Sequence, residues 1–497
     1  MNRPIRMLSV FSMLLFLALL LNLTYLQYWQ GDSLSNLTEH PDNRRVRDYQ
    51  FSQQRGAILV RGKAIAQSVK SDDAYQYQRV YPQGPMYAAI TGYYTKDYGL
   101  GGIEASQNAL LSGTDSRLFV RRVIDMFGNN APKGGNVTLT INPRAQRAAY
   151  DGLRALGPQI KGAVVALDPH SGKVLAMVSS PTYDPNKLAT HDFAAAKRYK
   201  LGLGTDSNSP LNNRAIEEVL PPGSTFKVVT SAAAMQRKGF RADSLVPGGA
   251  SLDLPQTTRV LRNESGGSCG ATKVTLTDAL RVSCNVAYGW LGMKVGQNAL
   301  VSTGEGFGFG ERYFTDLDDP TTRQAISRVI SPGVNLDEPQ QAFTGIGQFD
   351  VRASALQMAM VASGVAAGGT VYRPYLVDQV QAPDLTVLSS TQPTKLHDSA
   401  MSPAVASQLT DMMVNVVDRG TGTRAQIPGV KVAGKTGTAQ SAANRPPYAW
   451  FVSFAPADDP QVAVAVLVQD AGVARNAISG NGLAAPIARS VMEAVIR

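Results

Sequence analysis

Residues 163–178, AVVALDPHSGKVLAMV, contain two apolar runs on either side of a short polar segment. The two apolar runs are rich in residues that favour β-strands. The segment Asp168–Gly172 between them contains a proline and a glycine, which favour a turn. The stretch therefore predicts a β-hairpin.

Working outward from this hairpin, the chain shows three more strand patterns near its far end, at residues 429–438, 448–454 and 462–469. Helical patterns occupy the intervening and flanking sequence, at residues 143–156, 225–300, 352–367 and 484–496. Two early strands and three late strands with helices between and after them predict an α+β fold. In this fold one five-stranded antiparallel sheet is covered by helices.

The composition is that of a globular protein, since 44% of the 497 residues are apolar and 17% are charged. It excludes a wholly disordered chain, a coiled coil and a collagen-like repeat. Two Cys and four His also exclude a zinc-finger or disulfide-rich framework. The net charge is +10, but there is no run of five basic residues and no nucleic-acid-binding motif, so we expect no nucleic-acid partner.

Residues 7–26 form an apolar run of the length that a helix needs to cross a bilayer. Two arginines precede the run, and the first charged residues after it are acidic. By the positive-inside rule we expect a cytoplasmic tail at 1–6, one transmembrane helix at 7–29 and an extracytoplasmic remainder at the plasma membrane. The alternative is a cleaved secretory signal, with Ser33-Leu34-Ser35 as the nearest cleavage pattern.

The part that follows the apolar run changes character near residue 136. Residues 30–135 are polar and Gly-rich with weak hydrophobic periodicity, which predicts a small mixed domain, called the pedestal below. An alternating strand pattern at 136–141 begins the second part. We expect residues 136–497 to form one domain around the predicted sheet.

The first chemical motif is PPGSTFK, residues 221–227. Pro-Pro-Gly ends the preceding element and the next residues predict a helix, so Ser224 lies at a helix N-terminus with Lys227 one turn further on. Alone, Ser224 also fits an N-cap. However, a lysine in the first turn opposes the helix dipole. Burial there would lower the pKa of Lys227 and make it a candidate base for the Ser224 hydroxyl.

Two further motifs lie downstream. Ser283-Cys284-Asn285 falls between two helical patterns, where it is also typical of a simple polar turn. Lys435-Thr436-Gly437-Thr438 falls inside a strand pattern. Glycine in a strand indicates the close approach of another backbone, and a lysine flanked by hydroxyl groups suits an anionic ligand. Each motif is weak alone, but the set of three in this order is specific.

The order S-x-x-K, S-x-N and K-T-G resembles the motifs of the penicillin-recognising serine acyl-enzymes. Arg55-Gly56-x-Ile58 and Gly101-Gly102-Ile103-Glu104 resemble the N-terminal module of class B penicillin-binding proteins, and Gly345-Ile346-Gly347-Gln348 resembles their stretch between the second and third motifs. The chain is identified as a member of this family, similar to its short actinobacterial members. The resemblance implies the penicillin-binding transpeptidase fold, with a helical subdomain beside the sheet.

The resemblance implies a peptidoglycan D,D-transpeptidase that needs no metal and no cofactor and that β-lactams inhibit covalently. Its catalytic residues would be Ser224, Lys227, Ser283, Asn285 and Lys435, and its substrate-binding residues would be Thr436, Gly437 and Thr438. Backbone N–H groups of Ser224 and Thr438 would form the oxyanion hole.

In this scheme Ser224 attacks the carbonyl of the penultimate D-Ala of a stem peptide that ends in D-Ala-D-Ala. Lys227 accepts the serine proton, and Ser283 passes a proton to the leaving amine. Asn285 holds the substrate amide, and Lys435 raises the local potential for the substrate carboxylate. A neighbouring stem amine then takes the acyl group.

Hydrolytic relatives share these motifs, so a D,D-carboxypeptidase stays open, as does a non-enzymatic β-lactam sensor or cell-wall scaffold. The pedestal favours transfer over hydrolysis. It is too short to hold a glycosyltransferase domain, so the resemblance implies a separate glycosyltransferase partner of the RodA/FtsW type. The anchor and the pedestal would contact this partner.

The two cysteines, Cys269 and Cys284, lie fifteen residues apart, and the second falls inside the second motif. An extracytoplasmic compartment permits disulfides. We therefore expect a bridge that holds the Gly-rich loop 266–270 beside the motif. The alternative is two buried thiols.

Overall fold

The computed structural model describes residues 3–28, 30, 51–119, 133–158, 160–319, 322–440, 446–470, 472 and 478–497. The chain divides into two compact units, residues 1–53 with 70–77 and residues 54–69 with 78–497. The first unit contains an N-terminal helix, in which Ile5–Tyr28 is long and apolar enough to cross a membrane. The alternative cleavage pattern at Ser33–Ser35 lies outside the described residues.

The described residues contain α-helices and β-strands that we number along the chain. The strands are β1 Ile58–Val60, β2 Lys63–Lys70, β3 Tyr77–Val80, β4 Asn136–Leu139, β5 Lys161–Leu167, β6 Val174–Ser180, β7 Leu245–Pro247, β8 Ser251–Asp253, β9 Val260–Arg262, β10 Lys273–Thr275, β11 Val371–Tyr372, β12 Val377–Gln381, β13 Val387–Ser390, β14 Lys395–His397, β15 Ala433–Ala439, β16 Tyr448–Ala455 and β17 Val462–Asp470.

The α-helices are α1 Arg3–Tyr28, α2 Gly84–Thr91, α3 Gly102–Ser106, α4 Asn108–Leu111, α5 Pro143–Ala155, α6 Asn186–Ala189, α7 Phe193–Leu203, α8 Lys227–Lys238, α9 Leu276–Arg281, α10 Asn285–Val295, α11 Gln297–Gly306, α12 Glu338–Gly345, α13 Ala355–Ala366, α14 Pro403–Arg419 and α15 Ala485–Ile496. Short 3-10 helices cover Ser116–Leu118, Gly223–Phe226 and Thr423–Ala425, and a π-helical turn covers Gly480–Ala484.

The central sheet has five strands in the order β15-β16-β17-β5-β6, and every neighbouring pair is antiparallel. It contains the predicted hairpin, β5 and β6, and the three predicted late strands. Among the described residues, β15 lies at one end of this order and pairs only with β16. It also contacts the turn Gly223–Phe226, which carries Ser224.

Successive side chains of the central sheet belong to two different cores. Val164 and Val466 belong to a cluster with residues of α5 and α15, whereas Val165 and Ala465 belong to the main cluster, which includes α13. Side chains alternate between the faces of a strand, so both faces of the sheet are buried. This burial explains why the strand sequences are continuous apolar runs rather than alternating patterns.

A second sheet has six strands in the order β13-β12-β4-β1-β2-β3. Strand β1 runs parallel to β4, and β12 pairs antiparallel with the other side of β4. Strands from the predicted pedestal thus share one sheet with strands from residues 377–390. The predicted division of the chain at residue 136 stays a prediction.

The helical segments expected within residues 225–300 are present, but four short strands, which were not expected, lie between the first two of them. There β7 pairs with β10 and β8 pairs with β9, in two small sheets between α8 and α9. The physical reason is local composition, since Pro247, Gly248, Gly249 and Pro255 favour turns and oppose a continuous helix. Of these strands, β9 and the loop that follows it form one wall of the candidate active site.

Candidate active site

Ser224 lies in the 3-10 turn Gly223–Phe226, which leads directly into α8. Its side chain is half-buried, whereas its neighbours Gly223 and Thr225 are buried. Within the described residues, the Ser224 hydroxyl has no hydrogen-bond partner. The hydroxyl is therefore available to a substrate. The alternative role of Ser224 as an N-cap is not observed, because the N-cap positions of the 3-10 turn and of α8 are Pro222 and Phe226.

The turn that carries Ser224 is held in place by close backbone packing. Gly223 has φ of 55°, and its N–H donates to the carbonyl oxygen of Gly347 at 3.0 Å. A side chain at Gly437 of β15 would lie 2.9 Å from the carbonyl oxygen of Pro222. Glycine at 437 thus lets the edge strand lie directly against the nucleophile turn, as the sequence pattern predicts.

Lys227 is fully buried and points at the second motif. Its Nζ donates to the carbonyl oxygen of Ser283 at 2.7 Å, to the Ser283 hydroxyl at 3.2 Å and to Oδ1 of Asn285 at 2.7 Å. Burial lowers the pKa of Lys227 well below its ordinary value, and the nearby charge of Lys435 lowers it further. Lys227 is therefore easier to deprotonate than an exposed lysine.

The second motif forms the turn between α9 and α10. Ser283 has φ of 60°, a left-handed conformation that is uncommon for a residue with a side chain. Its hydroxyl oxygen accepts hydrogen bonds from Lys227 at 3.2 Å and from Lys435 at 2.9 Å. Because both acceptor positions are used, the Ser283 proton is free to be donated to a bound group.

Lys435 lies on β15 and is also fully buried. Besides Ser283, its Nζ donates to the carbonyl oxygen of Thr436 at 2.8 Å. Burial lowers the pKa of Lys435 to about 7. The charged form of Lys435 beside the Ser283 hydroxyl makes a positive site that suits an anion. The candidate residues Lys227, Ser283, Asn285 and Lys435 thus form one hydrogen-bonded cluster.

Sequence reasoning missed Thr421, which lies before the third motif. Its hydroxyl is 2.7 Å from the hydroxyl of Thr436, so one of the two donates to the other. Thr421 therefore extends the cluster to the far side of Lys435. The only local signal is a Thr-Gly pair after α14, which by itself indicates a turn.

Asn263 was missed as well. It is buried, and its Nδ2 donates to the carbonyl oxygens of Gly249 and Gly267 at 2.9 Å each. Its Oδ1 accepts from the N–H of Val286 at 3.1 Å, just after the second motif. Asn263 thus joins the loops next to β8 and β9 to the start of α10.

The same wall is attached covalently, because Cys269 and Cys284 form a disulfide. Cys284 is buried and lies between Ser283 and Asn285, whereas Cys269 is only partly buried in the Gly-rich loop. The bridge closes a loop that includes β10 and α9. It ties the Gly-rich loop to the turn of the second motif.

Two clefts meet at Ser224. The large cleft, with a volume of about 1040 Å³, is lined among others by Arg259, Arg262, Asn285, Ile346 and Phe349. The small cleft, with a volume of about 620 Å³, is lined among others by Ser283, Cys284, Thr421, Thr436 and Thr438. Ser224 and Thr438 line both clefts. Within the part of the chain that the structure describes, no group of three His, Cys, Asp or Glu side chains is placed to hold a metal ion.

The geometry agrees with comparisons to known proteins. Residues 162–493 match the family described as penicillin binding protein transpeptidase domain, and residues 55–137 match the penicillin binding protein A dimerisation domain. The chain belongs to the penicillin-binding protein transpeptidase family. The predicted family, the α+β transpeptidase fold and the class of enzyme, a serine-type transpeptidase, are therefore confirmed.

Among curated relatives, the chain is 42% identical to the peptidoglycan D,D-transpeptidase PbpA of Mycolicibacterium smegmatis, over 100% of this chain and 99% of that protein. Among solved structures, it is similar to the ceftriaxone acyl-enzyme complex of penicillin-binding protein A from Mycobacterium tuberculosis, with a TM-score of 0.84, 41% identity and coverage of 90% of this chain and 99% of that one. The penicillin G acyl-enzyme complex of the same protein matches with a TM-score of 0.82, 42% identity and coverage of 90% and 100%.

Proposed function

We propose that this protein cross-links peptidoglycan as a D,D-transpeptidase and that β-lactams acylate the same serine. The observation that carries the proposal is the half-buried Ser224 at the junction of two clefts, next to a cluster of two buried lysines around Ser283. The substrate is a stem peptide that ends in D-Ala-D-Ala.

Acylation begins when Ser224 Oγ attacks the carbonyl carbon of the penultimate D-Ala. Neutral Lys227 accepts the serine proton, and its lowered pKa makes the neutral form accessible. The C–N bond to the terminal D-Ala breaks, and Ser283 donates its proton to the leaving nitrogen. Lys227 returns a proton to Ser283, to which it is already hydrogen-bonded at 3.2 Å. The terminal D-Ala leaves as the free amine, and the acyl group remains on Ser224 as an ester.

The terminal carboxylate of the substrate binds in the small cleft. Lys435 supplies the positive potential, and the hydroxyl groups of Thr436 and Thr438 donate hydrogen bonds. Asn285 holds the amide of the acyl part of the substrate. The N–H groups of Ser224 and Thr438 stabilise the tetrahedral oxyanion, a contribution that is commonly several kcal/mol. An amine of a second stem peptide then displaces Ser224 and forms the cross-link.

We propose that α1 anchors the protein in the plasma membrane and leaves the remainder outside the cytoplasm. In this arrangement residues 1–6 form the cytoplasmic tail, 7–29 the anchor, 30–135 the pedestal and 136–497 the transpeptidase domain. The length and apolar character of Ile5–Tyr28 support the anchor.

We propose a RodA/FtsW-type glycosyltransferase as the partner that polymerises the glycan strands. Co-purification with and without residues 1–135 tests this contact.

The function is tested with full-length protein in detergent. Intact mass spectrometry after incubation with benzylpenicillin should show one added drug molecule on the wild type and none on Ser224→Ala. Ser490→Ala, which changes an exposed serine on α15, is the matched control and should be acylated normally.

The second test uses the natural reaction. Incubation with a D-Ala-D-Ala peptide and an amine acceptor should yield the cross-linked product. Free D-Ala and hydrolysed peptide alone would instead indicate a carboxypeptidase. No drug adduct with intact drug would indicate a sensor or scaffold.

A further inference from the structure

A separate cavity is formed by α2, the end of β6, α7 and the segment that follows α7. Its volume is about 220 Å³, and its lining includes Tyr93, Tyr183, Lys200 and Glu217. It shares no lining residue with the two clefts at Ser224. Liquid water occupies about 30 Å³ per molecule, so the cavity has room for a solute of about six or seven heavy atoms. A molecule of this size is far smaller than a stem peptide.

Lys200 brings an amino group to the wall of this cavity. Its side chain is partly buried, and its Nζ donates to the hydroxyl of Tyr93 at 3.2 Å and lies 4.8 Å from the centre of the Tyr93 ring. Burial lowers the pKa of Lys200. Among the described residues no carboxylate pairs with it, and only one of its three N–H donors is used. An anionic group in the cavity would therefore find a partner in Lys200.

Glu217 brings a carboxyl group to the same cavity. It is partly buried, and its Oε2 accepts a hydrogen bond from the N–H of Asn213. The neighbouring Arg214 pairs with Glu218 instead, at 3.6 Å, so Glu217 has no ion-pair partner in the part of the chain that the structure describes. Burial raises the pKa of Glu217 to about 7. A bound ammonium group would favour the charged form of this carboxyl.

Lys200 and Glu217 line one cavity, yet no ion pair joins them in the described structure. Lysine and glutamate are rarely buried without a partner, because removing a lone charge from water is costly. A molecule that carries both a carboxylate and an ammonium group would satisfy both side chains at once. The rest of the lining includes Ala88 and the rings of Tyr93 and Tyr183, whose centres lie 6.2 Å apart. These groups suit a short apolar side chain.

We propose that this cavity binds a small α-amino acid in its zwitterionic form, with the carboxylate on Lys200 and the ammonium group on Glu217. Glycine and alanine fit the volume, whereas amino acids with large side chains do not. Binding here makes and breaks no covalent bond. In the proposed function each acylation releases one D-Ala, which belongs to this class of molecule. The binding site itself does not depend on that function.

The test is a saturation-transfer NMR titration of full-length protein in detergent, with and without prior acylation of Ser224 by benzylpenicillin. Glycine and D-alanine should bind saturably and with the same Kd in both preparations, and phenylalanine should not bind. Propionate and ethylamine each lack one of the two charged groups, so their Kd should be at least about tenfold higher. Lys200→Met and Glu217→Gln should each raise the Kd of D-alanine at least about tenfold for the same reason.

Lys197→Met, at an exposed position of α7, and Glu305→Gln, at an exposed position of α11, are the matched controls and should bind D-alanine like wild type. Acylation by benzylpenicillin shows that each variant is folded. A wild type that binds neither glycine nor D-alanine would overturn the proposal. So would binding that Lys200→Met and Glu217→Gln retain in full, or binding that acylation of Ser224 abolishes, because the amino acid would then occupy another site.

Discussion

Two pairs of buried cations in the described part of this protein differ in what neutralises them. In the pedestal, Arg55 Nε lies 2.5 Å and Arg79 Nε lies 2.7 Å from the carboxylate of Glu104, and all three side chains are at most 3% exposed. In the active site, Lys227 and Lys435 are 0% exposed, and among the described residues no carboxylate contacts either one. Their partners are hydroxyl, amide and carbonyl oxygens.

The difference follows from the chemistry of the two side chains. Arginine keeps its proton, so buried arginines require an anion. Burial alone would raise the pKa of Glu104, but the two arginines outweigh it and the pKa is lowered. Lysine can release its proton, and burial lowers the pKa of both lysines. The first cluster is therefore structural, whereas the second holds its protons loosely, as an acid–base site requires.

The largest expected effect is that of Lys227→Met. Acylation by benzylpenicillin should fall by at least about 1000-fold, because the base is lost. The free energy of unfolding should not fall, since an apolar side chain replaces a buried cation. Stopped-flow acylation and urea unfolding measure the two quantities. Lys238→Met, at the exposed end of the same helix, should change neither. A marked loss of stability in Lys227→Met would show that the lysine cluster stabilises the fold, as the cluster of Arg55, Arg79 and Glu104 is expected to do.

In contrast to Lys227→Met, Glu104→Gln is expected to lower the free energy of unfolding. Two arginines would stay buried without an anion, and the free energy of unfolding should fall by about 3–5 kcal/mol. Because the pKa of Glu104 is lowered in the folded state, its stabilisation should also be lost as the pH falls through that pKa. Urea unfolding at neutral and acidic pH tests both points, with the exposed Glu305→Gln as the control. A stability close to wild type would contradict a structural role.

The pH dependence of acylation tests whether Lys435 must be charged. Burial lowers the pKa of Lys435 to about 7, and in the proposed function Lys435 must be charged to bind the substrate carboxylate. The value of kcat/KM should therefore fall about tenfold per pH unit above pH 7. In Lys435→Arg, whose side chain stays charged, this alkaline decline should vanish, even if the maximal rate is lower. A wild-type profile that is flat between pH 7 and 9 would exclude this role of Lys435.

The ionisation of Lys435 also makes the free energy of unfolding depend on pH. The folded state releases the Lys435 proton near pH 7, whereas the unfolded chain keeps it up to about 10.5. The unfolded state thus binds more protons in this window, so this group makes stability rise with pH from about 7 to about 10.5. Urea unfolding of wild type and Lys435→Met over this range should show a steeper rise for wild type.

The smallest effect is expected for Thr421→Val, which removes the hydrogen bond to Thr436. Since Thr421 acts through another residue, KM for a D-Ala-D-Ala peptide should rise about threefold to tenfold with a smaller change in kcat. Thr421→Ser keeps the hydroxyl and should restore KM. Thr423→Val, at an exposed threonine nearby, is the control. An equal rise of KM in Thr421→Ser would show that the methyl group of Thr421, and not its hydroxyl group, is responsible.

The central sheet could be predicted from the sequence because its strands are covered on both faces. Each of the five strands has seven to nine residues, and strands such as Lys161–Leu167 and Val462–Asp470 are nearly continuous apolar runs. By contrast, β12 is VDQVQ, a short polar sequence that becomes a strand by pairing with β4, some 240 residues earlier. Pairing over such a distance leaves no local pattern.

The order and spacing of the three motifs were enough to indicate the class of enzyme and its candidate reactive residues, because the chemistry needs those residue types at those spacings. The tertiary structure decided that Lys227 and Lys435 share the Ser283 hydroxyl, and that Thr421 joins them. It also decided their protonation, since a pKa depends on how completely water is excluded. That exclusion comes from β15, α8 and α10, which are far apart in the chain and meet only after folding.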